Sequence, residues 1–118
     1  DNEKLARKIS EEQKKQNLET KLFIQVNIGN ESQKNGIHVS KLGEFYNYCK
    51  ELSLNIVGIM CIPPIDEDPK ISFSKMNYLK KKMNFKELSM GMSADYLDAI
   101  KYNSTFLRIG SGIFGARN

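Results

Sequence analysis

The chain has 118 residues, 40% hydrophobic and 27% charged, which is enough for one small domain with a core and too few for two. Its net charge of +4 is a mild bias. The basic runs Lys14-Lys15 and Lys80-Lys81-Lys82 lack the interleaved aromatics of a single-strand nucleic-acid binder, so no nucleic-acid partner is expected.

Residues 2–16 have helix-forming composition with a narrow apolar stripe of Leu5, Ala6 and Ile9, the signature of a helix on the outside of a fold. Asp1 or Asn2 can cap it. Leu22 to Ile28 reads as a strand apolar on both faces, as in a parallel sheet covered on both sides. Gly29 to His38 is loop by composition. Ser40 is placed to cap a second helix whose apolar positions are Leu42, Phe45, Cys49 and Leu52.

Asn55 to Ile62 forms a second apolar strand, stopped by Pro63-Pro64 and an acidic loop through Lys70. Ser72 is placed to start a third helix, with Phe73, Met76, Leu79 and Met83 on one face and the lysine run on the wet side. Leu88 to Met92 is a third strand, Ser93 caps a helix over 94–102, and Phe106 to Gly110 is a fourth strand. Cys49 and Cys61 read as core thiols of a protein from a reducing cytosol. His38, the only histidine, sits in no cluster, so a metal site is unsupported. No apolar run is long enough to span a bilayer, and no membrane partner is expected.

Strands beginning near 22, 55, 88 and 106, each separated by a helix, imply an α/β fold with a parallel sheet and right-handed crossovers. The repeat of roughly 30 residues is close to one-eighth of a typical ~250-residue (β/α)8 barrel. Residues 1–118 therefore read as a single partial domain, half of a TIM-type barrel with about four parallel strands. An open doubly wound sheet is the competing topology. The sequence opens at Asp1 without a Met, as if the chain began inside a fold. A half-barrel leaves two sheet edges free, so it should pair with its own copy or with a missing half.

The tail carries the chemistry. Leu88-Ser-Met-Gly-Met-Ser-Ala-Asp95, then Thr105-Phe-Leu-Arg-Ile-Gly-Ser-Gly-Ile-Phe-Gly-Ala-Arg117, gives two strand ends rich in glycine, hydroxyls and backbone N–H groups. Such paired ends are where an α/β barrel holds a phosphate. These residues resemble the pyridoxal phosphate homeostasis proteins, a family with the alanine-racemase N-terminal-domain fold. Phe23-Ile24-Gln25-Val26-Asn27-Ile28 with Glu31, Lys34 and Gly36 looks like that family's fifth strand and loop, and Val57-Gly58-Ile59-Met60 like its sixth. The resemblance makes this chain the C-terminal half of a barrel that binds pyridoxal 5′-phosphate (PLP).

What the resemblance implies is specific. Ser93 matches the serine whose hydroxyl binds the phosphate, Gly110 and Ser111 match the residues completing the phosphate cup, and Arg108 matches the arginine meeting the pyridine nitrogen. No catalytic residue is assigned, because a guanidinium keeps its proton and would hold the ring nitrogen unprotonated, a poor arrangement for an electron sink. Asn103, Ala94 and Gly112 depart from the family pattern; Asn103 stands where glycine is usual, and Asn tolerates the left-handed conformation of a helix C-terminus. The family's lysine that condenses with the PLP aldehyde lies on an early strand. Lys21 and Lys86 precede strands, at the wrong end of the barrel, and Lys34 and Lys70 sit in polar loops. The expected function is thus a cytoplasmic, non-enzymatic PLP-binding piece, with weak or absent binding by this chain alone. One alternative is a half-barrel interaction module that pairs with itself or with a separate N-terminal half. Another is a racemase-like PLP enzyme assembled from two chains.

Overall fold

The computed structural model describes residues 2–29, 36–92 and 95–108. Helix α1 (Asn2–Gln16) leads into strand β1 (Lys21–Asn27), a two-residue strand β2 (Ile37–His38), helix α2 (Leu42–Glu51), β3 (Asn55–Met60), α3 (Pro69–Met83), β4 (Glu87–Met92), α4 (Tyr96–Lys101) and β5 (Phe106–Arg108). The five strands form one parallel sheet in the order β2-β1-β3-β4-β5. From β1 onward the long strands are neighbours in space in the order they occur in the chain. The two-residue β2 lies on the opposite edge of β1; apart from it, β1, β3, β4 and β5 run in one direction across the sheet, as in the singly wound wall of a barrel, whereas a doubly wound sheet sends its helical crossovers both ways from a switch point.

Ahead of β4, sequence and structure differ at three local points. β2 falls within the stretch expected to be loop, pairing Ile37 with Val26 and His38 with Asn27. Helix α2 follows a 3-10 turn over Val39–Lys41 and has Lys41, not Ser40, at its N-cap, with no side-chain capping bond. Helix α3 begins at Pro69 rather than near Ser72. Asp68 is extended there and its Oδ1 accepts the Lys70 N–H at 3.0 Å. Proline at the first helical position has no N–H to leave unsatisfied, and the acidic loop supplies the cap. Ser72 is instead buried on the inner side of the helix.

All four α-helices stop in the same way. Asn17, Ser53, Asn84 and Asn103 have φ of 54°, 60°, 58° and 70°. Each donates its N–H three residues back, and the next residue donates five back: Leu18 to Gln13, Leu54 to Cys49, Phe85 to Lys80 and Ser104 to Ala99. This is the Schellman arrangement, which satisfies two orphan carbonyls at the cost of one left-handed residue. Asn103 thus takes the conformation its position demands. Ser53 is the least suited of the four residues to that conformation. Ser53→Gly should therefore raise unfolding stability by roughly 1 kcal/mol, read from a urea-denaturation midpoint.

The helices pack on one face of the sheet. Ile24, Val26 and Ile28 lie in one cluster with Ile59, Cys61, Leu88 and Met90, against Phe73, Met76 and Leu79 of α3 and Leu42 of α2. Phe73, Met76, Ile59, Leu88, Met90 and Cys61 are completely buried, which accounts for the nearly continuous apolar runs of β1 and β3. A second cluster joins Ala6 of α1 to Cys49 and Leu54. α1 rests lightly on α2: Ser10 donates to the Leu52 carbonyl at 2.9 Å and Arg7 to the Tyr48 hydroxyl at 2.9 Å, while Leu5 stays 57% exposed.

Cys49 and Cys61 are both buried and outside any disulfide. Burial pushes the Cys49 thiol pKa above its ordinary 9.0. The neutral thiol is favoured in the fold, so its contribution is full below the unfolded pKa and is lost as pH rises through and beyond 9.0. Stability should fall more steeply above that pH in this chain than in Cys49→Ala, as denaturation midpoints across the alkaline range would record.

The opposite face of the sheet is concave. Register places Phe23 beside Gly58 and Glu87, and Gln25 beside Met60, Ser89 and Phe106. In a flat sheet β1 and β5, three strand spacings apart, would hold perpendicular side chains about 14 Å from one another. Yet the Phe23 and Phe106 rings meet edge to face at 5.2 Å between centroids. The sheet therefore curls toward this face, as a barrel wall curls around its interior.

Candidate phosphate-binding site

Strands β4 and β5 run parallel with Ser89 opposite Phe106 and Met92 opposite Arg108. Their C-terminal ends therefore lie side by side at the same end of the sheet. Of the four residues singled out from sequence, Arg108 has its backbone in that pairing, while Ser93, Gly110, Ser111 and the Arg108 side chain lie outside the described residues. The chain reaches Ser93 one residue after Met92, and Gly110 two residues after Arg108.

Local structure around the tips is built by hydroxyls. The Thr105 N–H donates to the Leu88 carbonyl at 2.7 Å, and its Oγ1 accepts the Leu88 N–H at 2.7 Å. The Ser104 hydroxyl accepts the Met90 N–H at 3.3 Å and lies 2.7 Å and 2.8 Å from the Met90 and Phe106 carbonyls. Farther along, the ladder is irregular between Ser89 and Met92, and Gly91 has φ of 102°. Helix α4, expected over 94–102, spans only Tyr96–Lys101, and Asp95 at its N-cap makes no side-chain capping bond. A helix this short brings only a small dipole to this end of the sheet.

Lysines offer little at this end. Lys21 opens β1 and Lys86 precedes β4, both exposed and both at the far end of the sheet; Lys70, in the first turn of α3, is exposed to solvent, and Lys34 lies outside the described residues. No group of three or more His, Cys, Asp or Glu that could hold a metal occurs among the described residues. No helix among them is long and apolar enough to cross a membrane. Sequence reading passed over the polar residues on the concave face, Gln25, Asn27 and Ser89. Of these, Asn27 at the β1 tip is 4% exposed. The signal was available as polar residues at every second position of an otherwise apolar strand.

A cleft of roughly 750 Å³ lies elsewhere. It follows the edge of β1 between α1 and α2, lined by Ala6, Ile9, Leu22, Ile24, Phe45 and Cys49 among others. β2 pairs with that edge at Val26 and Asn27, past the cleft-lining Leu22 and Ile24. The cleft is the space where a barrel would place a further strand.

A parallel wall with β4 and β5 ending side by side is the architecture of one half of an α/β barrel. The family model for the alanine racemase N-terminal domain matches residues 1–118, and the chain belongs to that family. Among its relatives, the pyridoxal phosphate homeostasis protein of Aquifex aeolicus (strain VF5) is 35% identical over 127 residues, covering 99% of this chain and 56% of the relative. That of Mus musculus is 36% identical over 134 residues, covering 100% of this chain and 49% of the relative. The chain thus spans about half the length of the curated relatives it matches. Among solved structures, PipY of Synechococcus elongatus PCC7942 without PLP superposes with a TM-score of 0.82 at 25% identity, covering 94% of this chain and 57% of PipY. PipY with PLP bound gives a TM-score of 0.78 at 24% identity, over 94% of this chain and 56% of PipY.

Proposed function

We propose that residues 1–118 are the C-terminal half-barrel of a PLP-binding protein and carry the phosphate and pyridine-nitrogen side of its site. The observation that supports this reading best is the Met92–Arg108 register, which brings the ends of β4 and β5 side by side, the strand ends that Ser93 and Gly110-Ser111 follow in the sequence. The donor set suits the group. Serine hydroxyls and backbone N–H groups recognise a phosphate dianion, and a glycine lets the backbone approach without a Cβ in the way. Arg108 would donate to the pyridine nitrogen and, being unable to give up its proton, keep that nitrogen unprotonated. PLP, when bound, supplies an aldehyde and an electron-accepting ring; an unprotonated ring accepts electrons poorly, so these residues favour holding the cofactor over turning it over.

PLP homeostasis by a non-enzymatic carrier follows from this arrangement and from the relatives' name. Binding by these 118 residues alone should be weak and non-covalent, since none of the described lysines sits at the tips. Ser93→Ala and Arg108→Ala should each weaken PLP binding about tenfold, the loss expected for one charge-assisted hydrogen bond, by equilibrium dialysis. Unchanged affinity in both would move the ligand elsewhere. Borohydride reduction followed by peptide mass spectrometry should find no pyridoxyl-lysine at a single defined position.

A second reading, an interaction module, draws on the β1 edge and its cleft. Exposed strand edges recruit strands, and two half-walls related by a two-fold axis would close eight strands. A stable monomer in sedimentation equilibrium would count against this pairing.

A further inference from the structure

At the β4–β5 junction, hydroxyls do what main-chain groups do elsewhere in the sheet. Leu88 is gripped from both sides by Thr105: its N–H reaches Oγ1 at 2.7 Å and its carbonyl accepts the Thr105 N–H at 2.7 Å. Two residues on, the Met90 N–H is taken by the Ser104 hydroxyl, which spans Met90 and Phe106 with carbonyls at 2.7 Å and 2.8 Å. Leu88 and Met90 are completely buried, so neither N–H has water as a substitute. β5 has only three residues, too few for its own ladder to fix the register securely. Beyond the clasp the ladder is irregular until Met92 meets Arg108, so the offset between the two tips is inherited from the clasp.

We infer that Ser104 and Thr105 are positioning residues: a two-hydroxyl clamp that sets the register of β5 on β4 and so aligns the two strand tips for a phosphate. This rests on the reading of the tips as a phosphate site, and it adds the residues that hold that site in shape. Ser104 and Thr105 need not touch the ligand. They act through the backbone of Leu88, Met90 and Phe106, which lie in β4 and β5 upstream of the binding positions.

The test uses the full chain with Thr105→Val, Ser104→Ala and Thr105→Ser, which retains a hydroxyl. Two readouts are taken: amide hydrogen exchange along the sheet, and affinities for PLP and for pyridoxal, which lacks the phosphate. The clamp requires exchange at Leu88 and Met90 to quicken about tenfold in Thr105→Val and Ser104→Ala, with β1 and β3 amides unchanged. It also requires PLP affinity to fall at least about fivefold while pyridoxal affinity holds, and Thr105→Ser to restore both readouts. Exchange that rises uniformly over the sheet, or PLP and pyridoxal affinities that fall together, would overturn it, because both describe ordinary loss of stability. An unaltered chain that binds PLP no better than pyridoxal would instead sink the phosphate-site reading. In that case the clamp stands or falls on the exchange pattern alone.

Discussion

Gly58→Ala is expected to cost the fold roughly 3 kcal/mol, a large share of the 5–15 kcal/mol that holds a typical domain together. Gly58 sits in β3 opposite Glu87 of β4, and a Cβ built on it would overlap the Glu87 carbonyl group and come within 2.9 Å of the Glu87 Cβ. The carbonyl is backbone, so no rotamer can move it aside. Relief requires β3 and β4 to separate, at the centre of the sheet. Just before this point β3 carries an extra residue: Leu22 pairs with Ile56 and Phe23 with Gly58, which leaves Val57 bulged. Bulges and missing side chains are how a sheet bends and draws strands together. A urea midpoint for Gly58→Ala corresponding to a loss under about 1 kcal/mol would mean that β3 and β4 are not pressed together as described.

The spacing of apolar runs made the fold legible before any coordinates. Ile24, Ile59, Leu88 and Met90 are strand residues in the sequence and core residues in the sheet for one reason: they alternate onto the face that the helices cover, which must be apolar. The stripe Phe73, Met76 and Leu79 at helical spacing likewise faces the sheet. What escaped was local and depended on competition between neighbours. Asp68 won the cap of α3 from Ser72 because Pro69 ahead of that serine is itself a good first helical residue. β2 escaped because two residues carry no period. Its trace was a lone Ile37 in a polar stretch, buried against the β1 edge.

The site was legible to a different extent. The motif at Leu88–Asp95 and Thr105–Arg117 pointed to the strand tips, and the parallel register of β4 and β5 puts those two strands next to one another. The support for the tips was not legible. Ser104 and Thr105 look like a polar linker in the sequence, and only their distances to Leu88 and Met90 give them a role. Polar residues in linkers are common, so their type alone carries no signal.

The second large effect is expected at Gly91, where fold and site meet. Gly91 is buried in β4 with φ of 102°, one residue before the Met92 that pairs with Arg108. L-residues avoid that conformation at a cost of about 1–3 kcal/mol. Gly91→Ala can escape it only by rotating the backbone to negative φ, which would redirect the tip that carries Ser93. The expected result is a stability loss of about 2 kcal/mol together with a loss of PLP affinity of about tenfold or more in the folded protein. Phe73→Ala is the proper comparison. Phe73 is completely buried on the helix-facing side of the sheet, and its truncation should cost more stability, about 3–5 kcal/mol. It should nevertheless leave the affinity of the folded fraction unchanged, because its side chain packs in the helix-facing cluster and does not set the backbone conformation at Gly91. Equilibrium dialysis at a temperature where each variant is folded separates the two effects. If Gly91→Ala binds PLP as the unaltered chain does, the conformation of β4 at Gly91 does not govern the site, and the link from strand geometry to phosphate recognition is broken at its first step.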